Sequence, residues 1–329
     1  MGIKQRCRRE QGLADFPRPR APDQELKMDT RQFGNTGLEV TVIGFGGMTI
    51  GGAFGPVDDA ESLRALHAAI DAGMNFIDTS NAYGEGRSES LIGKFLRERA
   101  DSDGILVFTK GGNNMVTRVR NFEPGYIAEC LEGSLERLGR EPIDLYMLHN
   151  PSVDNMSAED RYAVLEQAKS NGKIRHWGVS VNTVPECEKA ISQGRAATLQ
   201  MEYNVINQSA AGAFATARSA GVGVISRVPL NRGFLSGRFD ESSRFADDDT
   251  RKRSLTPENL RKFQGQLDAV KAAAAELGVS PAEVAIRFCA SNPNASCVIP
   301  GVRTAAQAEQ NAAAAEPLPT DIMHKLLDA

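Results

Sequence analysis

The sequence lacks the features that mark several specialised classes of protein. It has only five cysteines in 329 residues, an odd number, and no C-x-x-C or other metal-ligand spacing. These thiols indicate neither a disulfide framework nor a zinc site, so we expect free cysteines, no bound metal and a reducing, cytoplasmic compartment. No apolar run approaches the roughly 18 residues that a membrane-spanning helix needs, so no membrane is expected as a partner. The net charge of −4 gives no reason to expect nucleic acid as a partner.

The start of the chain lacks the apolar periodicity of a folded element. The segment MGIKQRCRREQGLADFPRPRAPDQELK is charged and contains prolines, and no apolar stretch follows Arg8 and Arg9 as a signal peptide would require. We predict that residues 1–27 are a disordered extension; the alternative is that the start codon has been assigned too early and the native protein lacks them. No linker or internal repeat divides the chain after that point, so residues 28–329 are predicted to form one domain.

Short apolar runs alternate with helical patterns through this predicted domain. Eight such runs lie at 41–47, 75–80, 105–110, 143–149, 174–180, 198–204, 222–228 and 297–301. Near-continuous apolar runs are typical of parallel strands that are covered by helices. Eight strands, each followed by a helix, predict an α/β fold of the (β/α)8 TIM-barrel type. The second possibility is a doubly wound open sheet, but no G-x-G-x-x-G opens a helix after the first strand.

Helical patterns fill the intervals between these runs. They lie at 58–72, 88–99, 123–138, 157–171, 184–193, 209–219, 280–291 and 304–315. Ser280 followed by Pro281 is typical of a helix start, with an N-cap and a proline at the first helical position. Two loops are long, residues 111–122 and residues 229–256, and an extra helix is expected around 257–277. Both loops follow the C-terminal ends of strands, so we expect them to shape a substrate site.

Ionisable side chains stand at the C-terminal ends of three successive predicted strands. Asp78, Lys110 and His149 end the second, third and fourth strands, and Tyr83 follows Asp78 in the stretch NFIDTSNAYG. Each has an ordinary structural explanation when taken alone, as a turn cap, a paired charge or a packed ring. Side chains at this end of a barrel converge on one mouth, however, and the joint placement therefore favours a functional site.

The chemistry of these four side chains is that of a tuned proton donor. A tyrosine hydroxyl has a pKa near 10, and a neighbouring ammonium from Lys110 is expected to lower that pKa. Asp78 can pair with a buried Lys110, and His149 can add a hydrogen bond to the hydroxyl or to a substrate carbonyl. Acid catalysis of this kind typically contributes about 10²–10⁴-fold. The alternative is a lyase or aldolase in which Lys110 forms a Schiff base, but Asp78 favours a charged amine that cannot do so.

Several motifs occur in a fixed order along the chain. They are RQFGNTGLEVTVIGFGG, NFIDTSNAYG, FTK, LHNP, GVS, EYNVINQ, PLNRGFLSGRF and IPGVRTAAQAEQN. In this order, the motifs resemble those of the aldo-keto reductase family, and the resemblance extends over nearly all of residues 28–311. The resemblance implies a (β/α)8 barrel with an N-terminal β-hairpin that reduces aldehydes and ketones with NADPH, Tyr83 being the general acid. The catalytic residues implied by the resemblance are Asp78, Tyr83, Lys110 and His149.

The resemblance also implies how the nicotinamide is held. Ser180, Asn182 and Gln200 would bind the carboxamide, for which their side chains offer suitable donors and acceptors. The family often has adjacent serine and asparagine, whereas Val181 separates them here; on a continuing strand this spacing puts both on one face. Many members carry an aromatic residue that stacks on the nicotinamide ring where this chain has Arg227. Because a cation stacked on the oxidised ring is unfavourable, we expect Arg227 to point at a carboxamide, a phosphate or an aspartate, or to form a structural salt bridge.

Phosphate groups need donors, and two segments supply them. Glycines and arginines in 229–239 allow backbone N–H groups and positive charges to approach a pyrophosphate. Arg303 precedes a helix N-terminus and, by the resemblance, would face the 2′-phosphate of NADPH. No acidic residue lies in the segment GVRTAAQ, which favours NADPH over NADH. The predicted cofactor-binding residues are Gly46, Gly47, Met48, Ser180, Asn182, Gln200, Arg227, Pro229, Leu230, Arg232, Gly233, Leu235, Gly237, Arg238, Gly301, Arg303, Gln307 and Asn311.

The sequence leaves the substrate, the direction of reaction and the assembly open. Candidate substrate-lining residues are Met48, Phe54, Asn114 and Asn150. The expected partner is a small-molecule carbonyl or alcohol, because the same residues can also act in reverse as an alcohol or sugar dehydrogenase. A non-catalytic NADPH-binding regulatory subunit is a further alternative, which the intact set of four polar residues disfavours. A homo-oligomer is also compatible with the sequence.

Overall fold

The computed structural model describes residues 28–113 and 119–329. The predicted extension at residues 1–27 and the candidate substrate residue Asn114 lie outside the described residues. In the described part, a two-stranded hairpin precedes eight barrel strands. The strands are β1 (Thr30–Gln32), β2 (Glu39–Thr41), β3 (Phe45–Gly46), β4 (Phe76–Asp78), β5 (Leu106–Gly111), β6 (Ile143–His149), β7 (Ile174–Ser180), β8 (Thr198–Glu202), β9 (Gly223–Arg227) and β10 (Cys297–Ile299).

The strands β3 to β10 form a closed parallel barrel, as predicted. Each strand pairs with the next one along the chain, from β3 through to β10. The first and last strands meet through backbone hydrogen bonds from Gly44 N to Val298 O (2.9 Å) and from Gly46 N to Pro300 O (3.0 Å). The alternative of a doubly wound open sheet is therefore wrong.

Apolar side chains fill one end of the barrel interior. The rings of Phe33 and Phe108 stack with centroids 5.3 Å apart, and Phe76 lies 5.0 Å from Phe108. Phe33 follows β1, so the β1–β2 hairpin covers this N-terminal end of the barrel. Full burial of one such side chain stabilises the fold by about 1.5–3 kcal/mol. The opposite end, where the strands finish, is where the polar side chains of the cavity gather.

Helices surround the barrel, and the predicted ones are all present. They are α1 (Asp59–Asp71), α2 (Arg87–Glu98), α3 (Pro124–Leu138), α4 (Val153–Ser157), α5 (Glu159–Ser170), α6 (Val184–Ser192), α7 (Ala211–Ser219), α8 (Pro257–Lys262), α9 (Gln264–Leu277), α10 (Pro281–Ala290), α11 (Ala305–Ala313) and α12 (Thr320–Leu327). The predicted N-cap of α10 is confirmed, since Glu283 N donates to Ser280 Oγ at 3.1 Å. Within the described residues, none of the helices is long and apolar enough to cross a lipid bilayer.

Three helical features differ from the prediction. The extra helix expected around 257–277 is two helices, α8 and α9, because Phe263 has non-helical backbone angles (φ −93°, ψ 6°) and packs its ring near Phe234. The helix α4 was not predicted, since five residues are too few to give a periodic pattern. The helix α12 was not predicted because it follows no strand of the barrel.

Candidate active site

A buried ion pair joins two neighbouring strands at the barrel mouth. Lys110 donates from Nζ to Asp78 Oδ1 at 2.5 Å and to the carbonyl of Thr79 at 2.8 Å. The two charged side chains are 0% and 2% exposed, and Gln200 donates to the other carboxylate oxygen of Asp78 at 2.8 Å. Burial raises the pKa of the Asp78 carboxyl above its ordinary value, while the Lys110 ammonium and the Gln200 amide oppose that rise. The expected pairing of these two residues is therefore present in the fold.

Tyr83 lies against this pair on the loop that follows β4. The Lys110 ammonium is 5.2 Å from the centroid of the Tyr83 ring. Gly51 permits this placement, since a Cβ there would lie 2.7 Å from the Tyr83 carbonyl carbon. Burial raises the pKa of the Tyr83 hydroxyl above its ordinary value, and the opposing effect of Lys110 is smaller. Lys110 thus lowers the pKa of Tyr83 as expected, but desolvation, which the sequence argument did not include, is larger and makes the net shift upward. The hydroxyl therefore retains its proton at neutral pH.

His149 ends β6 on the other side of Tyr83. The two rings meet edge to face, with centroids 5.9 Å apart and an interplanar angle of 90°. The Nδ1 atom of His149 lies 2.9 Å from Ser80 Oγ. Burial, together with the positive charges of Lys110 and Arg227, holds the pKa of His149 well below its ordinary value. The imidazole is therefore neutral at physiological pH and carries a single N–H.

Amide and hydroxyl groups follow on the next strands. Ser180 ends β7 and donates from Oγ to Gln200 Oε1 at 3.2 Å. Asn182 lines the same cavity as Ser180, in agreement with the expectation from the spacing S-V-N. Arg227, at the end of β9, donates to Asn182 Oδ1 at 2.8 Å and to the carbonyl of Val181 at 3.0 Å. Two of the expected kinds of partner are present for Arg227. It contacts an amide oxygen of the protein itself, and it forms a structural salt bridge with Glu202 at 4.0 Å.

These groups form one end of a cavity of about 480 Å³. The other end lies at the start of α11, where Arg303 N donates to Gln307 Oε1 at 2.9 Å. The guanidinium of Arg303 donates to the carbonyls of Phe54 (3.2 Å) and Pro56 (2.8 Å), and so ties the loop after β3 to this end. The cavity thus runs from the Tyr83 hydroxyl to a helix N-terminus, which suits an elongated ligand that carries phosphate groups.

The long loop 229–256 crosses beside this cavity. Thr250 N donates to the carbonyl of Ala53 at 3.1 Å. Arg251 binds Asp249 through two nitrogens, at 2.6 Å and 3.0 Å. The Arg251 guanidinium also faces three phenylalanine rings at 4.8–5.1 Å, one of them Phe54. Loop length indicated that this segment matters, but no motif pointed to Arg251.

Most of the predicted binding residues line the cavity. Those on its wall are Gly46, Gly47, Met48, Phe54, Asn150, Ser180, Asn182, Gln200, Arg227, Pro229, Leu230, Arg232, Gly233, Arg238, Gly301, Arg303, Gln307 and Asn311. Leu235 is absent from the wall because it lies in a single 3-10 turn, Phe234–Ser236, and its side chain is fully buried in the hydrophobic core. Gly237 ends that turn with φ 77° and also lies off the wall. Lys110 lies beneath the wall, where it contacts Asp78.

The wall residues fit an anionic nicotinamide dinucleotide. Among the described wall residues, the positive charges are those of Arg227, Arg232, Arg238, Arg251 and Arg303. The one acidic side chain on that wall is Asp78, which Lys110 already neutralises. A pyrophosphate or 2′-phosphate would therefore meet positive charge without facing an unpaired carboxylate.

Sequence reasoning missed several polar residues of the site besides Arg251, among them Ser80 and Glu202. Ser80, which contacts His149, lies inside the quoted stretch NFIDTSNAYG but is an ordinary turn residue by type. Glu202 ends β8, where its carboxylate lies 4.0 Å from Arg227 and 3.9 Å from Arg232. A polar residue at a strand end was the available signal for Glu202, and it was the same signal that identified Asp78.

Comparison of the sequence with known proteins identifies similar proteins over most of the chain. Residues 42–329 match the model of the Aldo/keto reductase family. The chain is 31% identical to aldo-keto reductase YhdN of Bacillus subtilis, with 86% of this chain and 87% of that protein covered. It is also 31% identical to a rice (Oryza sativa subsp. japonica) protein named "probable voltage-gated potassium channel subunit beta", with 89% and 92% covered.

A solved structure resembles the whole barrel. The glycerol dehydrogenase AKR11B4 from Gluconobacter oxydans superposes with a TM-score of 0.78 at 27% identity, covering 91% of this chain and 94% of that one. The chain therefore belongs to the aldo/keto reductase family, whose members are NAD(P)-dependent oxidoreductases that act on carbonyl or alcohol groups.

Proposed function

We propose that the protein reduces the carbonyl group of a small-molecule substrate with NADPH, and that Tyr83 donates the proton. The observation that carries this proposal is the meeting of Tyr83, His149 and the Asp78–Lys110 pair at one end of a cavity whose other end is a helix N-terminus. A proton donor and a neutral imidazole beside a dinucleotide-shaped cleft suit the reduction of a polarised carbonyl.

When bound, the reduced nicotinamide supplies a hydride to the carbonyl carbon. Tyr83 gives its proton to the carbonyl oxygen, so that one hydride and one proton yield the alcohol. The Lys110 ammonium stabilises the tyrosinate that this transfer leaves behind, and Asp78 fixes the ammonium in place. If Ser80 donates to Nδ1 of His149, the single imidazole proton is on Nε2, from which it can hold the substrate oxygen.

The proton-donor role is tested by Tyr83→Phe, with Tyr162→Phe as a matched control outside the cavity. The hydroxyl of Tyr162 donates to Gln193 Oε1 at 2.8 Å and does not line the described wall. NADPH oxidation is followed with a panel of aldehydes, ketones and sugars. Loss of the acid should lower kcat by about 10²–10⁴-fold in Tyr83→Phe and leave Tyr162→Phe unchanged. Equal turnover by Tyr83→Phe and the wild type would refute the assignment.

NADPH rather than NADH is favoured by Arg303. Its guanidinium stands at the cavity end that Gln307 and Asn311 also line, and the described wall residues at this end include no acidic side chain. The Glu61 carboxylate, which accepts from Ala305 N at 3.1 Å at the start of α11, is not part of that wall. A charge-assisted hydrogen bond is worth about 1.5–3 kcal/mol, so Arg303→Leu should weaken NADPH binding roughly 10- to 100-fold. NADH binding should change little, and a wild type that binds NADH as tightly as NADPH would contradict this choice.

A second candidate is the reverse reaction, oxidation of an alcohol with NADP⁺. The similarity to a glycerol dehydrogenase favours a polyol for this direction. The same assay decides between the two directions: if oxidation is the function, glycerol with NADP⁺ should give faster turnover than any carbonyl with NADPH.

The remaining alternatives have less support. A Schiff base needs a free amine, whereas Lys110 is fully buried and bound to Asp78; a purely regulatory subunit would not need the buried pair beside Tyr83.

A further inference from the structure

Arg227 is a charged residue of the cavity that the proposed proton transfer does not use. It ends β9 and lines the cavity, with 18% of its side chain exposed. Its hydrogen bonds to Val181 and Asn182 use one terminal nitrogen, and Nε is buried with no hydrogen-bond partner among the described residues. The next residue, Val228, has φ 59°, a backbone angle that is costly for a β-branched side chain. The strand therefore ends in an unusual backbone conformation, and the two hydrogen bonds to Val181 and Asn182 hold the guanidinium in place.

The positive charge of Arg227 is only partly balanced. Glu202 is the nearest carboxylate, at 4.0 Å, and it is shared with Arg232 at 3.9 Å. One negative charge therefore serves two guanidinium groups, while the carboxylate of Asp78 is already bound to Lys110. A guanidinium remains protonated under all ordinary conditions, so this part of the wall carries a permanent excess of positive charge.

Arg227 also lies close enough to the reacting groups to act on them. Its charge lowers the pKa of His149, and it acts electrostatically on Tyr83. Hydride and proton must reach adjacent atoms of one carbonyl group, so a nicotinamide that reacts with help from Tyr83 must bind beside that hydroxyl. The ring is then within the electrostatic range of Arg227.

We propose that Arg227 makes the site discriminate between the two redox forms of its cofactor, binding NADPH more tightly than NADP⁺. This inference rests on the proposed function. The nicotinamide ring is neutral when reduced and positively charged when oxidised, so repulsion from Arg227 penalises only the oxidised form. In the direction of carbonyl reduction, the oxidised product is then released more readily.

Glu202 should act in the opposite sense. Its carboxylate offsets the charge of Arg227, so its removal should increase the repulsion felt by the oxidised ring. Both redox forms carry the same phosphates and the same carboxamide. An arginine that merely binds one of those groups would therefore affect the affinities for NADPH and NADP⁺ equally. An arginine that repels the oxidised ring would weaken only the binding of NADP⁺, so the ratio of the two affinities separates the two roles.

The test is calorimetric titration of NADPH and of NADP⁺ into the wild type and three variants, Arg227→Gln, Arg227→Lys and Glu202→Gln. In the wild type, Kd for NADP⁺ should exceed Kd for NADPH by about tenfold, which corresponds to about 1.4 kcal/mol. Arg227→Gln should bring the ratio close to one, mainly through tighter NADP⁺ binding. Arg227→Lys, which keeps the charge, should retain the preference, and Glu202→Gln should increase it several-fold.

Two results from the variants would overturn the inference. One is an equal loss of affinity for both redox forms in Arg227→Gln; the other is a ratio that none of the substitutions changes. Thermal unfolding checks the fold of each variant, and Glu202→Gln gives an independent answer if Arg227→Gln does not fold. A wild type that binds neither form would refute the proposed function itself. Binding of both forms with a ratio near one would refute only the role of Arg227.

Discussion

The buried Asp78–Lys110 pair makes a specific prediction about stability. Lys110→Met removes the ammonium and leaves the Asp78 carboxylate with only the amide of Gln200, in a site where both charged side chains are at most 2% exposed. Breaking a buried ion pair by removing one partner costs about 3–5 kcal/mol. The unfolding entropy of a domain that spans residues 28–329 is roughly 0.6 kcal/mol per kelvin, so we expect Tm to fall by about 5–8 °C. The same substitution at the exposed Lys94, 3.9 Å from Glu98, should cost less than about 0.5 kcal/mol.

The cost of Lys110→Met should depend on pH. Burial already raises the folded-state pKa of Asp78 above that of the unfolded chain, and Lys110 is the main effect that opposes this rise. Stability in the variant should thus be greatest below the unfolded pKa and fall as pH rises through the folded pKa, by up to about 1.4 kcal/mol per pH unit. Urea unfolding at about pH 5 and about pH 8 measures this, with Asp78→Asn/Lys110→Met as the reference that lacks the carboxylate. A cost below about 1 kcal/mol at the higher pH, or the same cost at both, would refute the reasoning.

Three further outcomes can be measured on the same protein. The absorbance difference between the wild type and Tyr83→Phe should show no tyrosinate from Tyr83 below about pH 10, because burial raises its pKa, and ionisation below about pH 9 would contradict this. Ser280→Ala should lower the free energy of unfolding by about 1 kcal/mol through loss of the α10 N-cap, whereas Ser280→Asn should be close to neutral. Arg251→Leu should free the loop 229–256 from its contacts, so chymotrypsin should cleave this loop several-fold faster, and the exposed Arg253→Leu should not have this effect.

The barrel was predictable because its strands are chemically distinct. Parallel strands covered by helices must be apolar on both sides, and all eight apolar runs became barrel strands. Their lengths were less predictable. Within the run at 41–47, the barrel strand is limited to Phe45–Gly46, whereas Thr41 ends the hairpin strand β2; the strand in the run at 198–204 ends at Glu202. Strand ends depend on which neighbouring backbone groups are in register, and a single run of sequence does not contain that information.

Part of the site was predictable for a geometric reason. The C-terminal ends of the strands meet at one mouth, so Asp78, His149 and Ser180 could be brought together from their positions at strand ends alone. The loop residues followed no such rule. Leu235 belongs to a motif that resembles a binding segment, but its side chain packs in the core, while Arg251 lies outside any motif and contacts Phe54 across a loop. Contacts between loops depend on the folded chain and leave no periodic trace in the sequence.

The pKa of Tyr83, the proposed proton donor, depends on a factor that the sequence does not supply. The residues identify a tyrosine beside an ammonium, and from those two groups alone the pKa of Tyr83 should fall. The fold adds a third factor, since packing against Gly51 and His149 partly buries the ring, and the resulting desolvation outweighs the charge of Lys110. The sign of the shift therefore depends on a balance between desolvation and one charge, and the sequence supplies only the charge. A hydroxyl that keeps its proton until the substrate oxygen gains negative charge is also the one best suited to act as an acid, because a tyrosinate has no proton to give.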